Sequence, residues 1–129
     1  EMCIRDSQRI IQTALGGYQS IDELLLPGGR IYEQRDFIYE ALNSIPGVSA
    51  KKPKAAFYIF PKIDTKKFNI TNGEQFALDL LREKKILIVH GSGFNWKDPD
   101  HFRVVYLPRI EVLEDAMGKL GEFLEYYRQ

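Results

Sequence analysis

A single cysteine, Cys3, occurs in 129 residues. No internal disulfide framework can therefore staple this chain, and one lone thiol fits a reducing compartment, the cytoplasm. Neither sign of charge is in surplus: 18 Lys and Arg balance 18 Asp and Glu. A chain without a net field does not recruit nucleic acid or an anionic membrane surface by electrostatics. No apolar run approaches the roughly 20 residues that cross a bilayer, and no signal peptide is visible. Internal repeats and low-complexity segments are missing too. What is present is 44% apolar and 12% aromatic residues, which is globular composition and enough for one domain with its own core.

The stretch that organises the chain is residues 86–108, ILIVHGSGFNWKDPDHFRVVYLP. It reads as a strand over 86–90, a turn at Gly91, Ser92 and Gly93, a polar and aromatic loop over 94–101, and a second strand over 102–107. Side chains alternate across a strand. Phe102, Val104 and Tyr106 therefore share one face, and Arg103, Val105 and Leu107 share the other. Two readings fit an arginine set among apolar neighbours. Its guanidinium can clasp the carboxylate of a ligand through two parallel hydrogen bonds, or it can pair with a structural Asp or Glu of the same chain.

The remaining segments follow from periodicity and punctuation. Residues 1–7 carry no helical or strand period and read as an artefactual leader that contains Cys3, to which no role is given. Residues 8–15 are helical, with Ile10, Ile11, Ala14 and Leu15 as an apolar stripe, ended by Gly16 and Gly17. Residues 18–26 are again near helical spacing, and Pro27, Gly28 and Gly29 break the chain. A helix spans 30–44, burying Ile31, Phe37, Ile38, Ala41 and Leu42 with Ile45, and Pro46 and Gly47 end it. Residues 48–53 are an edge strand flanked by Lys51 and Lys52, because Pro53 cannot enter a central ladder. Residues 55–61 form an aromatic strand. Thr71 and Glu74 have capping-box spacing ahead of a helix over 74–84. A last helix, 110–127, repeats Ile110, Leu113, Met117, Leu120, Leu124 and Tyr127 at three and four. The expected fold is α+β: an open sheet of three to four strands, mostly antiparallel, with helices packed on it.

Other constellations carry little. His90, Asp98, Asp100 and His101 match no metal-ligand spacing, and Asp98, Pro99 and Asp100 read as turn chemistry. The glycines at 91 and 93 lack the rest of a dinucleotide fingerprint and of a P-loop. By spacing, Ser20 and Ser92 have no His or Asp partner for nucleophilic catalysis. Phe57, Tyr58, Phe60, Phe94 and Trp96 either line a pocket or are core. Trp96 stands out as a large ring in a polar loop.

Three segments, GGYQSIDELLLPGGRIYEQRD, KAAFYIFPKID and FNWKDPDHFRVVYLPR, resemble the C-terminal part of the class I/II, fold-type I pyridoxal-phosphate aminotransferases. Within that family they are most similar to the bacterial glutamate–pyruvate (alanine) aminotransferases. The likeness runs in register over residues 8–129. It implies that 8–26 is the tail of the large domain, that 27–129 is the C-terminal small domain, and that Arg103 grips the substrate α-carboxylate. Gly93, Phe94 and Trp96 would lie by the substrate, and Tyr58 with Phe57 near the mouth. The resemblance further implies amino-group transfer between an amino acid, alanine, and a 2-oxo acid in a homodimer. The cofactor would be pyridoxal 5'-phosphate, bound by a large domain whose catalytic lysine this chain lacks, so that the chain alone is inactive. The alternative is a free-standing regulatory module that binds an amino acid without catalysis.

Overall fold

The computed structural model describes residues 2–129, with side chains from Ile4 onward; the side chain of Cys3 lies outside the described residues. Among the described residues six α-helices and five short strands follow in order: α1 (Met2–Gly16), α2 (Asp22–Leu25), α3 (Arg30–Ser44), β1 (Val48–Ser49), β2 (Tyr58–Ile59), β3 (Lys62–Ile63), α4 (Thr65–Phe68), α5 (Gly73–Lys84), β4 (Val89–His90), β5 (Phe102–Val105) and α6 (Ile110–Tyr126). The α+β expectation is met. β5 is the central strand of the order β2-β5-β4, antiparallel to both neighbours, and β1 pairs with β3 in a second two-stranded sheet.

The core forms where the apolar stripes meet. β5 turns Phe102 and Val104, with Tyr106 just beyond, onto one face, and all three are buried. Phe76 of α5 packs on Phe102 at 5.8 Å and on Phe123 of α6 at 6.2 Å. Ile38 and Leu42 of α3 and Leu120 and Phe123 of α6 are wholly excluded from solvent. Each such side chain removes a large apolar area from water, worth about 1.5–3 kcal/mol. The buried Gln34 amide donates to the carbonyls of Leu107 and Pro108, tying α3 to the exit of β5.

Several local expectations differ from the structure. The helix begins at Met2, so residues 2–7 are not aperiodic: Ile4 continues the line of Ile11 and Leu15 at seven and eleven residues, and extending an existing helix costs little. α5 is capped by Asn72 instead of Thr71. The Asn72 side chain accepts from the amides of Glu74 and Gln75, and one residue nearer the helix is the better reach for a cap. Thr71 instead donates its amide and hydroxyl to Gln129 Oε1.

The strands are shorter than their sequence runs. In the aromatic run 55–61 the paired strand is Tyr58–Ile59, flanked by the Phe57 and Pro61 carbonyls that accept from the Tyr106 and Phe102 amides; Ala56, with a left-handed φ of 61°, and Pro61, which has no amide to donate, bound it. Beyond Pro61 the chain pairs again as β3. The first sheet strand is reduced to Val89–His90, since the chain leaves α5 through a left-handed Lys85 and joins β5 only at Val89. The edge strand 48–53 is confined to Val48–Ser49.

Candidate functional site

The outer face of β5 carries Arg103. Its Cζ lies 4.2 Å from the ring centroid of Phe94 and 4.9 Å from that of Tyr58. Tyr58 reaches it from β2, whose register sets Tyr58 opposite Val105 and Ile59 opposite Val104. Phe94 comes from a 3-10 turn, Gly91–Phe94, that replaces an open loop after β4. The guanidinium Nε is buried and has no hydrogen-bond partner. Among the described residues no carboxylate pairs with Arg103. The reading in which Arg103 is neutralised by an Asp or Glu within the chain is therefore not what the structure has. Buried donors are almost always satisfied, and this guanidinium, close to two rings, keeps a buried Nε without an acceptor.

The aromatic residues are not core. Phe57, Tyr58, Phe60, Phe94 and Trp96 are 36–44% exposed, and together they make a half-open apolar wall. Phe60 stacks on His101 at 5.0 Å and meets Phe94 at 6.4 Å and Trp96 at 5.7 Å, edge to face. Trp96 stays in its polar loop because its Nε1–H donates to Asp100 Oδ1 at 2.8 Å and its ring lies 4.5 Å from that of His101. Asp100 is thus more than turn chemistry: its Oδ1 also accepts from His101 Nδ1 at 2.7 Å, and Lys62 approaches Oδ2 at 3.4 Å. Burial alone would push this carboxyl up, but the hydrogen bonds from His101 and Trp96, with the His101 charge and Lys62, hold it below the usual carboxylate range.

Of the two loop glycines, Gly91 is the one its position requires. A Cβ there would sit 2.8 Å from the carbonyl oxygen of His101, whereas at Gly93 the nearest atoms are at 3.7 Å. Gly93 opens no special backbone conformation; it belongs to the turn that carries Phe94. Ser92, expected to lack a partner, hydrogen-bonds His90 Nδ1 at 2.6 Å. A partner two residues away, across a turn, is invisible to a search for triad spacing. Among the described residues no group of three His, Cys, Asp or Glu could hold a metal, and no helix is long and apolar enough to cross a membrane. A groove of about 770 Å³ opens beside Tyr58, Phe60 and His101 under Lys51 and Lys52, and Arg103 does not line it.

The site is an arginine without an acid partner among the described residues, carried on a small sheet, and comparison with known proteins gives the chain a family. The profile of class I and II aminotransferases matches residues 6–120. The chain belongs to the class I and II aminotransferase family. It is 59% identical, over 95% of its own length and 30% of the relative's, to the glutamate-pyruvate aminotransferase of Haemophilus influenzae. It superposes with a TM-score of 0.90 and 54% identity on the crystal structure of an aminotransferase from Escherichia coli, covering 95% of this chain and 30% of that one. An alanine aminotransferase from Pyrococcus furiosus matches 74% of this chain and 24% of its own at 48% identity, with a TM-score of 0.70. The chain thus spans about 30% of the length of the curated relatives it matches.

The family implies pyridoxal 5'-phosphate, and the residues present do not fit it. An aldehyde cofactor needs a lysine whose amine is freed by an apolar setting. Among the described residues no lysine is buried, and the two that are partly covered, Lys84 and Lys119, are paired with Glu122 and Asp115.

Proposed function

We propose that this chain is the substrate-gripping small domain of a pyridoxal-phosphate-dependent aminotransferase. The reaction is amino-group transfer between an amino acid, alanine, and a 2-oxo acid. The observation that carries the proposal is Arg103: a guanidinium whose Cζ lies 4.2 and 4.9 Å from the ring centroids of Phe94 and Tyr58, with a buried Nε lacking an acceptor and no carboxylate partner among the described residues. A substrate α-carboxylate fills that vacancy with two charge-assisted hydrogen bonds, fixing one end of the molecule so that its Cα faces the catalytic machinery. Phe94, Trp96 and Tyr58 supply an apolar wall beside those bonds, and Gly93 belongs to the turn presenting Phe94.

In this reading residues 27–129 are the small domain and 8–26 the tail of the large one. In support, Leu15, Tyr18, Ile21, Leu25 and Leu26 are exposed, and buried core residues begin at Ile31. Cofactor and catalytic lysine belong to the large domain, the enzyme is a cytoplasmic homodimer, and this chain alone does not transaminate. Two experiments test the proposal. In the full-length enzyme, Arg103→Leu raises KM for the amino acid sharply, and an unchanged KM refutes the role. Calorimetry on the isolated chain gives no heat with L-alanine or L-glutamate; saturable binding there favours a regulatory module instead.

A further inference from the structure

The Arg103 grip stands on rings, and the rings stand on one carboxylate. Asp100 is three residues before Arg103 and its side chain is 15% exposed. A single oxygen, Oδ1, accepts from both Trp96 Nε1 and His101 Nδ1. The main chain on either side is tied down as well: the carbonyl of Asp100 accepts from the Ile63 amide at 2.7 Å, and that of His101 from the Gly91 amide at 2.8 Å. His101 then stacks on Phe60, Phe60 meets the edge of Phe94, and Phe94 carries the guanidinium. The hydrogen bonds are short and directional, whereas Phe60, Phe94 and Trp96 are half-exposed and lack the surrounding core that ordinarily locks a rotamer.

We propose that Asp100 is a positioning residue for substrate binding: by anchoring Trp96 and His101 it sets Phe60 and Phe94, and through them the plane in which Arg103 meets a carboxylate. This rests on the reading of Arg103 given above. Asp100 does not touch the substrate. Its loss lets the 91–101 turn and its rings reorient, so the guanidinium is presented in several orientations instead of one, and the cost falls on binding before it falls on turnover.

The test uses the full-length enzyme and separates KM from kcat. Asp100→Ala raises KM for the amino acid roughly fivefold to tenfold, the scale of one lost buried hydrogen-bond acceptor, with kcat within about twofold. Asp100→Asn keeps an oxygen for Trp96 and His101 and restores KM to within about twofold of wild type, an outcome that loss of charge alone would not give. Phe60→Leu breaks the relay beyond Asp100 and raises KM by a similar factor. An unchanged KM in Asp100→Ala, an equal fall in kcat, an Asn variant no better than Ala, or an unchanged KM in Phe60→Leu each overturns the proposal. If Asp100→Ala does not fold, Phe60→Leu decides it. Arg103→Leu runs alongside: a large effect there with none at Asp100 and Phe60 removes the relay alone, while no effect at Arg103 removes the carboxylate grip itself.

Discussion

Replacing Arg103 by leucine separates what the guanidinium costs the fold from what it does for a ligand. Without substrate, its two aromatic neighbours at 4.2 and 4.9 Å return about 0.5–1 kcal/mol each. The buried Nε with no acceptor costs about 1–3 kcal/mol. These nearly cancel, so the leucine variant melts within about 4 °C of wild type. With a carboxylate bound the balance changes. Two charge-assisted hydrogen bonds of about 1.5–3 kcal/mol each disappear, and kcat/KM for the amino acid falls by roughly two to four orders of magnitude. Arg103→Lys keeps the charge but not the planar fork and falls between the two. Steady-state transamination of L-alanine with 2-oxoglutarate, alongside a thermal melt, reads both effects. A folded Arg103→Leu enzyme with kcat/KM within tenfold of wild type would refute the reasoning, as would a melting point lowered by more than about 10 °C, which would mean that the residue is a structural tie.

Two further outcomes bear on stability. Gly91→Ala puts a Cβ against the His101 carbonyl oxygen and destabilises the domain by about 1–3 kcal/mol in urea unfolding, while Gly93→Ala, with ordinary contacts, is near neutral. Tyr127 is pushed up to about 12, first by burial and then by its hydrogen bond to Asp79. The folded state therefore prefers the neutral phenol, and the stability this contributes is whole below pH ~10 and lost as the pH rises through that window. Tyr127→Phe flattens the alkaline limb of the urea midpoint between about pH 10 and 12; an unaltered slope would assign the loss to other groups.

Period and punctuation carried much of the fold. The three-and-four spacing of Leu113, Met117, Leu120 and Leu124 is the buried stripe of α6, and the alternation at Phe102, Arg103 and Val104 is the true division of faces in β5. Both signals are local, set by the geometry of one element. Strand length was not legible, because Pro61, the left-handed Ala56 and the partner's register cut the runs to pairs. The Asp100, Trp96 and His101 cluster had a faint trace, a tryptophan four residues before an aspartate in a polar loop, but nothing there tells that Phe60, from β2's neighbourhood, closes it.

By itself the sequence determined the amphipathic faces, the breaks at Pro and Gly, and the placing of a cation among apolar neighbours, since each depends only on residues near in the chain. Whether that cation was paired inside the molecule was decided by the tertiary structure alone. Pairing is a matter of which carboxylates from distant segments arrive within a few ångströms, and here Asp36 met Arg35 and Lys52 while Asp100 met Trp96, His101 and Lys62, leaving Arg103 beside two rings with no acid of its own among the described residues.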